Sequence, residues 1–435
     1  MAGTLPMTLL GIATFLNPHP LFIIPFAALL LCIATLPLLL PKVWEHHFKK
    51  ISLGLGLVAV LYYLLGLHAG GRMLGVAWEY VSFISFIGSL FVVAGGIHVR
   101  TKGEAIPSVN ALYLIAGAIL ANLVGTTGAS MLLIRPWIKM NKYRFTTFHT
   151  AFFIFIVSNV GGCLTPIGDP PLFLGYLKGV PFWWVTAKCL PAWATAVGCI
   201  VAVFYALDRV NFLAAPKAIR EKQTGHEEFK IEGLRNFGWL AIILAAVFLK
   251  QPPGLREALM VVAAVGSYKT TPRPIHDANH FSFGPIKEVA WLFAGIFATM
   301  VPALDYLECH AGALGISAPM HFYWFSGALS GVLDNAPTYL TFLTAAFGLK
   351  GLNIDDSADV AQFLIQHGPY AVAVSLGSVF FGAMTYIGNG PNFMVKAIVD
   401  HSKVHTPNFF LYIIRYSVPI LLPILALVGW LFLRK

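Results

Sequence analysis

The chain has 435 residues, of which 57% are hydrophobic and 11% charged; soluble domains carry about 25% charged residues, so a soluble fold is excluded. Its net charge of +10 does not point to nucleic acid, because the basic residues gather in short loops between apolar runs, as the positive-inside rule requires. There is no GxxxxGK[ST] phosphate loop, no paired nucleophile and base, and no His/Asp cluster at helical spacing, so neither an enzyme nor a self-sufficient ATP-driven pump is expected.

In chain order, residues 1–19 lack the basic start of a secretory signal and read as a membrane-associated lead-in. A bilayer asks for about 20 apolar residues per helix. On that rule 20–41, 51–67, 80–99, 183–207, 288–304 and 409–433 are spans, and 236–250 and 256–268 are shorter ones. Two more, 146–178 and 367–398, are broken by Gly and Pro, which bring the total to about ten. The stretches 111–136 and 322–349 are too long for one helix and polar in the middle, at Gly125-Thr126-Thr127-Gly128 and Asp334-Asn335-Ala336-Pro337. They read as re-entrant hairpins. The expected fold is therefore an all-α polytopic membrane protein with two hairpins and two broken helices.

The broken helices are related. Ser158–Phe173 reads SNVGGCLTPIGDPPLF and Ser378–Phe393 reads SVFFGAMTYIGNGPNF. Ser158, Gly162, Thr165, Ile167, Gly168, Pro171 and Phe173 recur as Ser378, Gly382, Thr385, Ile387, Gly388, Pro391 and Phe393. Paired interruptions in two halves point to the binding site of a secondary transporter. The halves are 20–207, with hairpin 111–136 and broken helix 146–178, and 236–433, with hairpin 322–349 and broken helix 367–398. Each has an odd number of spans, so they run in opposite senses as an inverted-topology repeat. With both hairpins returning to their own side, most of the 29 Lys and Arg residues share one face, which makes the linker 208–235 cytoplasmic.

Unpaired peptide groups in hydrocarbon cost several kcal/mol each, so the breaks need partners in protein, ions or water. If the halves meet at mid-membrane, the site contains Thr126, Thr127, Ser130, Ser158, Asn159, Thr165 and Asp169 from one half. Asp334, Asn335, Thr338, Thr385, Asn389 and Asn392 come from the other. Thr and Asn oxygens with a carboxylate suit a hard cation such as Na⁺, held by Asp169, Asp334, Asn335, Thr165 and Thr385. Neither acid has a basic partner in its own stretch, which suits proton/cation exchange. Each acid also has a plain structural use, Asp169 as the N-cap of the half-helix after it and Asp334 as a turn-former. Lys178 and Lys396 read as interface anchors, and His149 and His98 as helix-end residues. The five cysteines have no CxxC spacing and read as small buried hydrophobes.

TPIGDPP in one half, with LDNAPT and YIGNGPN in the other, resembles the ion-transporter superfamily. That group includes arsenite-pump membrane subunits, NhaD-type sodium/proton antiporters, and citrate and dicarboxylate transporters. The resemblance covers nearly the whole chain. It is closest to the NhaD-type pattern and to chains grouped as citrate transporters, and it implies that Asp169 and Asp334 couple to ions. The tips lack the Ser-Asn-Thr of dicarboxylate carriers. The resemblance thus implies a sodium/proton antiporter working by an elevator motion. A proton- or sodium-coupled citrate or dicarboxylate transporter, or an oxyanion efflux subunit with a partner ATPase, follow in that order. It also implies a homodimer in a bacterial inner membrane, with Na⁺ and H⁺ as the only small partners besides substrate.

Overall fold

The computed structural model describes residues 16–100, 106–216, 230–249, 251–402 and 406–434. Most of the expected lead-in and residues 217–229 of the expected linker lie outside these. The protein is an all-α polytopic membrane protein. Helices α1 (Ile24–Leu39), α2 (Pro41–Leu61) and α3 (Gly70–Gly95) come first. The next is α4 (Pro107–Met140), which folds back on itself at Gly125, where φ is 78° and ψ 155°. Only glycine adopts that conformation without strain. A straight helix would hold Asn110 and Asn141 about 46 Å apart; instead Asn110 Nδ2 donates to Asn141 Oδ1 at 2.8 Å. Tyr113 Oη likewise donates to the Leu133 carbonyl at 2.8 Å. The two arms of α4 therefore form a hairpin with its tip at Gly125–Thr126.

After α4 come α5 (Thr147–Ile156), α6 (Pro170–Leu177) and α7 (Phe182–Ala214). The linker expected from 208 begins later, because α7 runs on to Ala214. Asp208 stays in that helix, wholly buried, since Arg144 and His149 both bind its carboxylate. Beyond the linker, Lys230–Glu232 pairs antiparallel with His98–Arg100 as a two-stranded ribbon. Helices α8 (Arg235–Val247) and α9 (Leu255–Thr270) have 13 and 16 residues, short of the roughly 20 that cross a bilayer. They pair closely, with Trp239 Nε1 donating to Thr270 Oγ1 at 3.0 Å.

The short α10 (Arg273–Ala278) leads to α11 (Gly284–His310). A second hairpin follows, α12 (Pro319–Ser330) and α13 (Asn335–Leu349), whose arms meet where Phe322 and Phe342 lie edge to face at 6.4 Å. The chain ends with α14 (Ser357–Gln366), α15 (Gly368–Phe381), α16 (Gly390–His401) and α17 (Phe409–Leu433). Among the described residues, seven helical segments are long and apolar enough to cross a membrane, or eight if the pair Ser357–Gln366 and Gly368–Met384, bent by 92°, counts as one. Pro107–Met140 is one of the seven, but it is the hairpin, so it does not run through from end to end.

Candidate functional site

Between α5 and α6 the chain leaves the helix from 157 to 169, and between α15 and α16 from 382 to 389. Both openings are built alike. Gly162 and Gly168 approach so closely that a Cβ on Gly168 would lie 2.0 Å from the Gly162 carbonyl oxygen; a Cβ on Gly388 would lie 2.6 Å from that of Gly382. Thr165 Oγ1 donates to the Asn122 carbonyl at 2.7 Å and accepts from Gly168 N at 3.0 Å. Thr385 Oγ1 donates to the Gly331 carbonyl at 2.7 Å and accepts from Gly388 N at 3.1 Å. Each threonine thus ties its break to the hairpin that precedes it.

The carbonyls freed at the breaks are taken up by side chains. Gly161 O accepts from Asn122 Nδ2 at 2.6 Å and Trp193 Nε1 at 2.9 Å, and Leu164 O from Thr186 Oγ1 at 2.6 Å. In the second break Gly382 O and Thr385 O accept from Asn392 Nδ2 at 2.8 and 2.9 Å, and Ala383 O from Tyr412 Oη at 2.8 Å. Buried as these carbonyls are, an unpaired one would cost several kcal/mol, so this pairing supports the fold.

Asp169 lies at the centre, fully buried. It occupies the N-cap position of α6, with Pro170 and Pro171 opening the helix, yet its side chain makes no capping bond. The carboxylate turns away and accepts from three other elements. Thr126 Oγ1, at the first hairpin tip, is 2.9 Å from Oδ1. Asn335 Nδ2, at the second tip, is 2.6 Å from Oδ2. Asn389 Nδ2, at the second break, is 3.3 Å from Oδ1. All three donors are neutral, and among the described residues no ion pair includes Asp169.

The network continues. Asn389 Nδ2 also reaches Asn159 Oδ1 and the Ser158 carbonyl, both at 3.1 Å. Asn159 Nδ2 donates to Asn392 Oδ1 at 2.7 Å, and Ser130 and Ser158 hydroxyls are 2.8 Å apart. Asn335 Oδ1 and Ser378 Oγ are buried without a hydrogen-bond partner. A buried acceptor left open beside a carboxylate is the arrangement a proton or hard cation would satisfy. Among the described residues no three His, Cys, Asp or Glu side chains gather as a metal site, so such a cation would rest on Asp169 and neutral oxygens.

The structure therefore brings together Thr126, Ser130, Ser158, Asn159, Asp169, Asn335, Asn389 and Asn392. Thr165 and Thr385 sit beside them, but their hydroxyls are spent on the backbone. Asp334 is half-buried and caps α13, its Oδ1 accepting from Ala336 N at 3.0 Å. Thr338 Oγ1 donates to the Asp334 carbonyl at 2.9 Å. Thr127 lines a cavity of about 20 Å³ beside the break, with Thr126, Gly168, Pro170, Phe86 and Leu90.

Asn122 went unnoticed in the sequence. Its Nδ2 donates to Ala118 O and Gly161 O, its Oδ1 accepts from Leu164 N at 2.9 Å, and its own carbonyl receives Thr165. An Asn one turn before the tip, closing the apolar run 111–121, was the available signal. A second buried group was missed too. Arg144, His149 and Asn110 all bind the Asp208 carboxylate, fastening the base of the first hairpin to α5 and α7. Lys178 is held by Glu79 and Asp355, each at 2.6 Å. Lys396 pairs with Asp400 one turn on.

Across residues 17–433 the chain matches a protein-family model described as "Putative citrate transport". No curated protein matches it.

Proposed function

The chain belongs to the "Putative citrate transport" family, and from that membership we propose a secondary transporter of a citrate-like carboxylate whose coupling proton or Na⁺ binds at Asp169. The observation that carries the coupling role is the buried carboxylate itself. Its donors come from both hairpin tips and the opposite break, all neutral, so any charge change there is felt by every moving part of the site. An organic anion near Asp169 would meet a fixed negative charge. Binding a proton or Na⁺ first removes that repulsion, so occupancy of Asp169 favours binding of the anion.

A second reading is sodium/proton exchange without an organic anion. It is favoured by the neutral side chains that surround Asp169, with no Lys, Arg or His bonded to it among the described residues, and by the open Asn335 Oδ1. In either case the like-built breaks are read as the cores of two inverted repeats, 20–207 and 236–433. Movement would carry the hairpins and broken helices as one body past α1–α3, α8, α9 and α11 in an elevator motion. A homodimer in a bacterial inner membrane, with the linker on the cytoplasmic side, completes the proposal.

The deciding experiment uses purified protein in proteoliposomes. Labelled citrate uptake is followed under an imposed proton or Na⁺ gradient, and an internal pH dye is followed when Na⁺, Li⁺ or K⁺ is added without citrate. Gradient-driven citrate uptake lost in Asp169→Asn supports the first reading. Dye responses to Na⁺ alone, also lost in Asp169→Asn, support the second. Uptake that survives Asp169→Asn at the wild-type rate removes the coupling role.

A further inference from the structure

Away from the Asp169 network lies a half-open cavity of about 730 Å³ between the second arm of α4, the end of α16 and the turn between α10 and α11. Ligand clefts typically occupy about 300–1,000 Å³. Its polar lining is Arg135, Lys139, Lys142, His280, His401 and Ser402; among the described lining residues there is no carboxylate. Clefts lined by one sign of charge concentrate counter-ions.

Basic residues near helix C-termini have an ordinary use, since they complement the negative end of the helix dipole. That use covers Lys139 and His401, in the last turns of α4 and α16, and Lys142 just past the end of α4. It does not cover Arg135, which sits more than a turn before the end of α4 and whose Nη1 is buried without a hydrogen-bond partner. A guanidinium nitrogen removed from water and left open is costly, and its fork matches carboxylate and phosphate oxygens. His280, across the cavity, follows the C-cap of α10 in left-handed backbone at φ 46°, an ordinary way for a helix to end, and this turn sets its ring at the cavity wall.

We propose that this cavity binds a multivalent oxyanion, with Arg135 as its central ligand and Lys142, His280 and His401 around it. Carboxylate and phosphate oxygens share the required chemistry, so the anion could be a soluble polycarboxylate or the headgroup of an anionic lipid. The inference holds whichever solute is carried through the Asp169 site.

The full chain in nanodiscs of phosphatidylcholine is titrated with citrate, and its thermal unfolding midpoint is recorded; a parallel set includes phosphatidylglycerol. Arg135→Gln, Arg135→Lys, Lys142→Gln and Asp169→Asn are measured alongside. Lys142 is exposed, so its variant folds regardless of Arg135. The expected result is a saturable upward shift whose midpoint concentration rises at least about tenfold in Arg135→Gln, rises less in Lys142→Gln and Arg135→Lys, and that persists in Asp169→Asn. A shift with citrate in neutral lipid identifies a soluble anion, and one with phosphatidylglycerol alone identifies a headgroup. Equal responses in wild type and both Arg135→Gln and Lys142→Gln overturn the proposal. So does no response to either anion, or a response lost only in Asp169→Asn.

Discussion

Asp169 and Asn389 stand at the same point of two like-built turns, each the N-cap of the half-helix that follows, and Asn389 Nδ2 donates to Asp169 Oδ1 at 3.3 Å. Neither side chain caps its own helix. One position carries a titratable acid and the other its neutral isostere, so the pair joins the two breaks while holding one ionisable group rather than two.

That asymmetry can be tested by moving the charge. Asn389→Asp would set a second carboxylate beside the first, replacing an attraction with a repulsion in a buried site. Coupled flux should fall at least about tenfold, and the double exchange Asp169→Asn/Asn389→Asp should recover folding stability, as a shared single charge is restored. Transport assays and thermal unfolding of the single and double variants check this. A double variant no more stable than Asn389→Asp would show that the two positions are not energetically linked.

Glycine content separates the break from its flanks. A Cβ on Gly168 would meet the Gly162 oxygen at 2.0 Å, whereas one on Gly390 meets nothing within 4 Å. Gly168→Ala should therefore cost about 1–3 kcal/mol or prevent folding, and Gly390→Ala should stay within about 0.5 kcal/mol. Fluorescence-detected size exclusion after graded heating compares the two directly.

The two breaks were legible because they depend on Gly, Pro and Thr, residue types that hydrophobic drift does not supply. Both hairpins were legible from length and a polar middle. Which acid would be central was not, since Asp169 and Asp334 each precede a helix and look alike in sequence. Only the packing decides that Asp334 spends its carboxylate on Ala336 N while Asp169 faces three other elements. Asn122 and the Arg144–Asp208 contact were equally hidden, because their partners lie 39 and 64 residues away.

Acid sensitivity is expected at the end of α6. Burial pushes the Asp355 carboxyl up, but the Lys178 and Arg72 charges outweigh it and hold it below the usual carboxylate range. A depressed carboxylate stabilises the fold above its unfolded value near 4 and loses that contribution as pH falls through its folded value. The unfolding midpoint of Asp355→Asn should thus lie below wild type at pH 7, and the two should converge below about pH 4. A gap that persists into acid would mean that Asp355 acts by shape, not by charge.

Asp208 and Arg144 offer the clearest test of how the first hairpin is fastened. Both are nearly or wholly buried, and His149 Nε2 and Asn110 Nδ2 share the same carboxylate. Removing one partner of a buried pair costs about 3–5 kcal/mol, largely because the other charge is stranded, whereas replacing both by apolar groups can be nearly neutral. Asp208→Leu and Arg144→Met should each lower the unfolding midpoint sharply, and the double variant should lose less than their sum. Losses that simply add would show that the two side chains act independently. The base of the first hairpin would then rest on the Asn110–Asn141 bond and on packing around Trp137, where Trp137 Nε1 meets the His149 carbonyl at 3.2 Å.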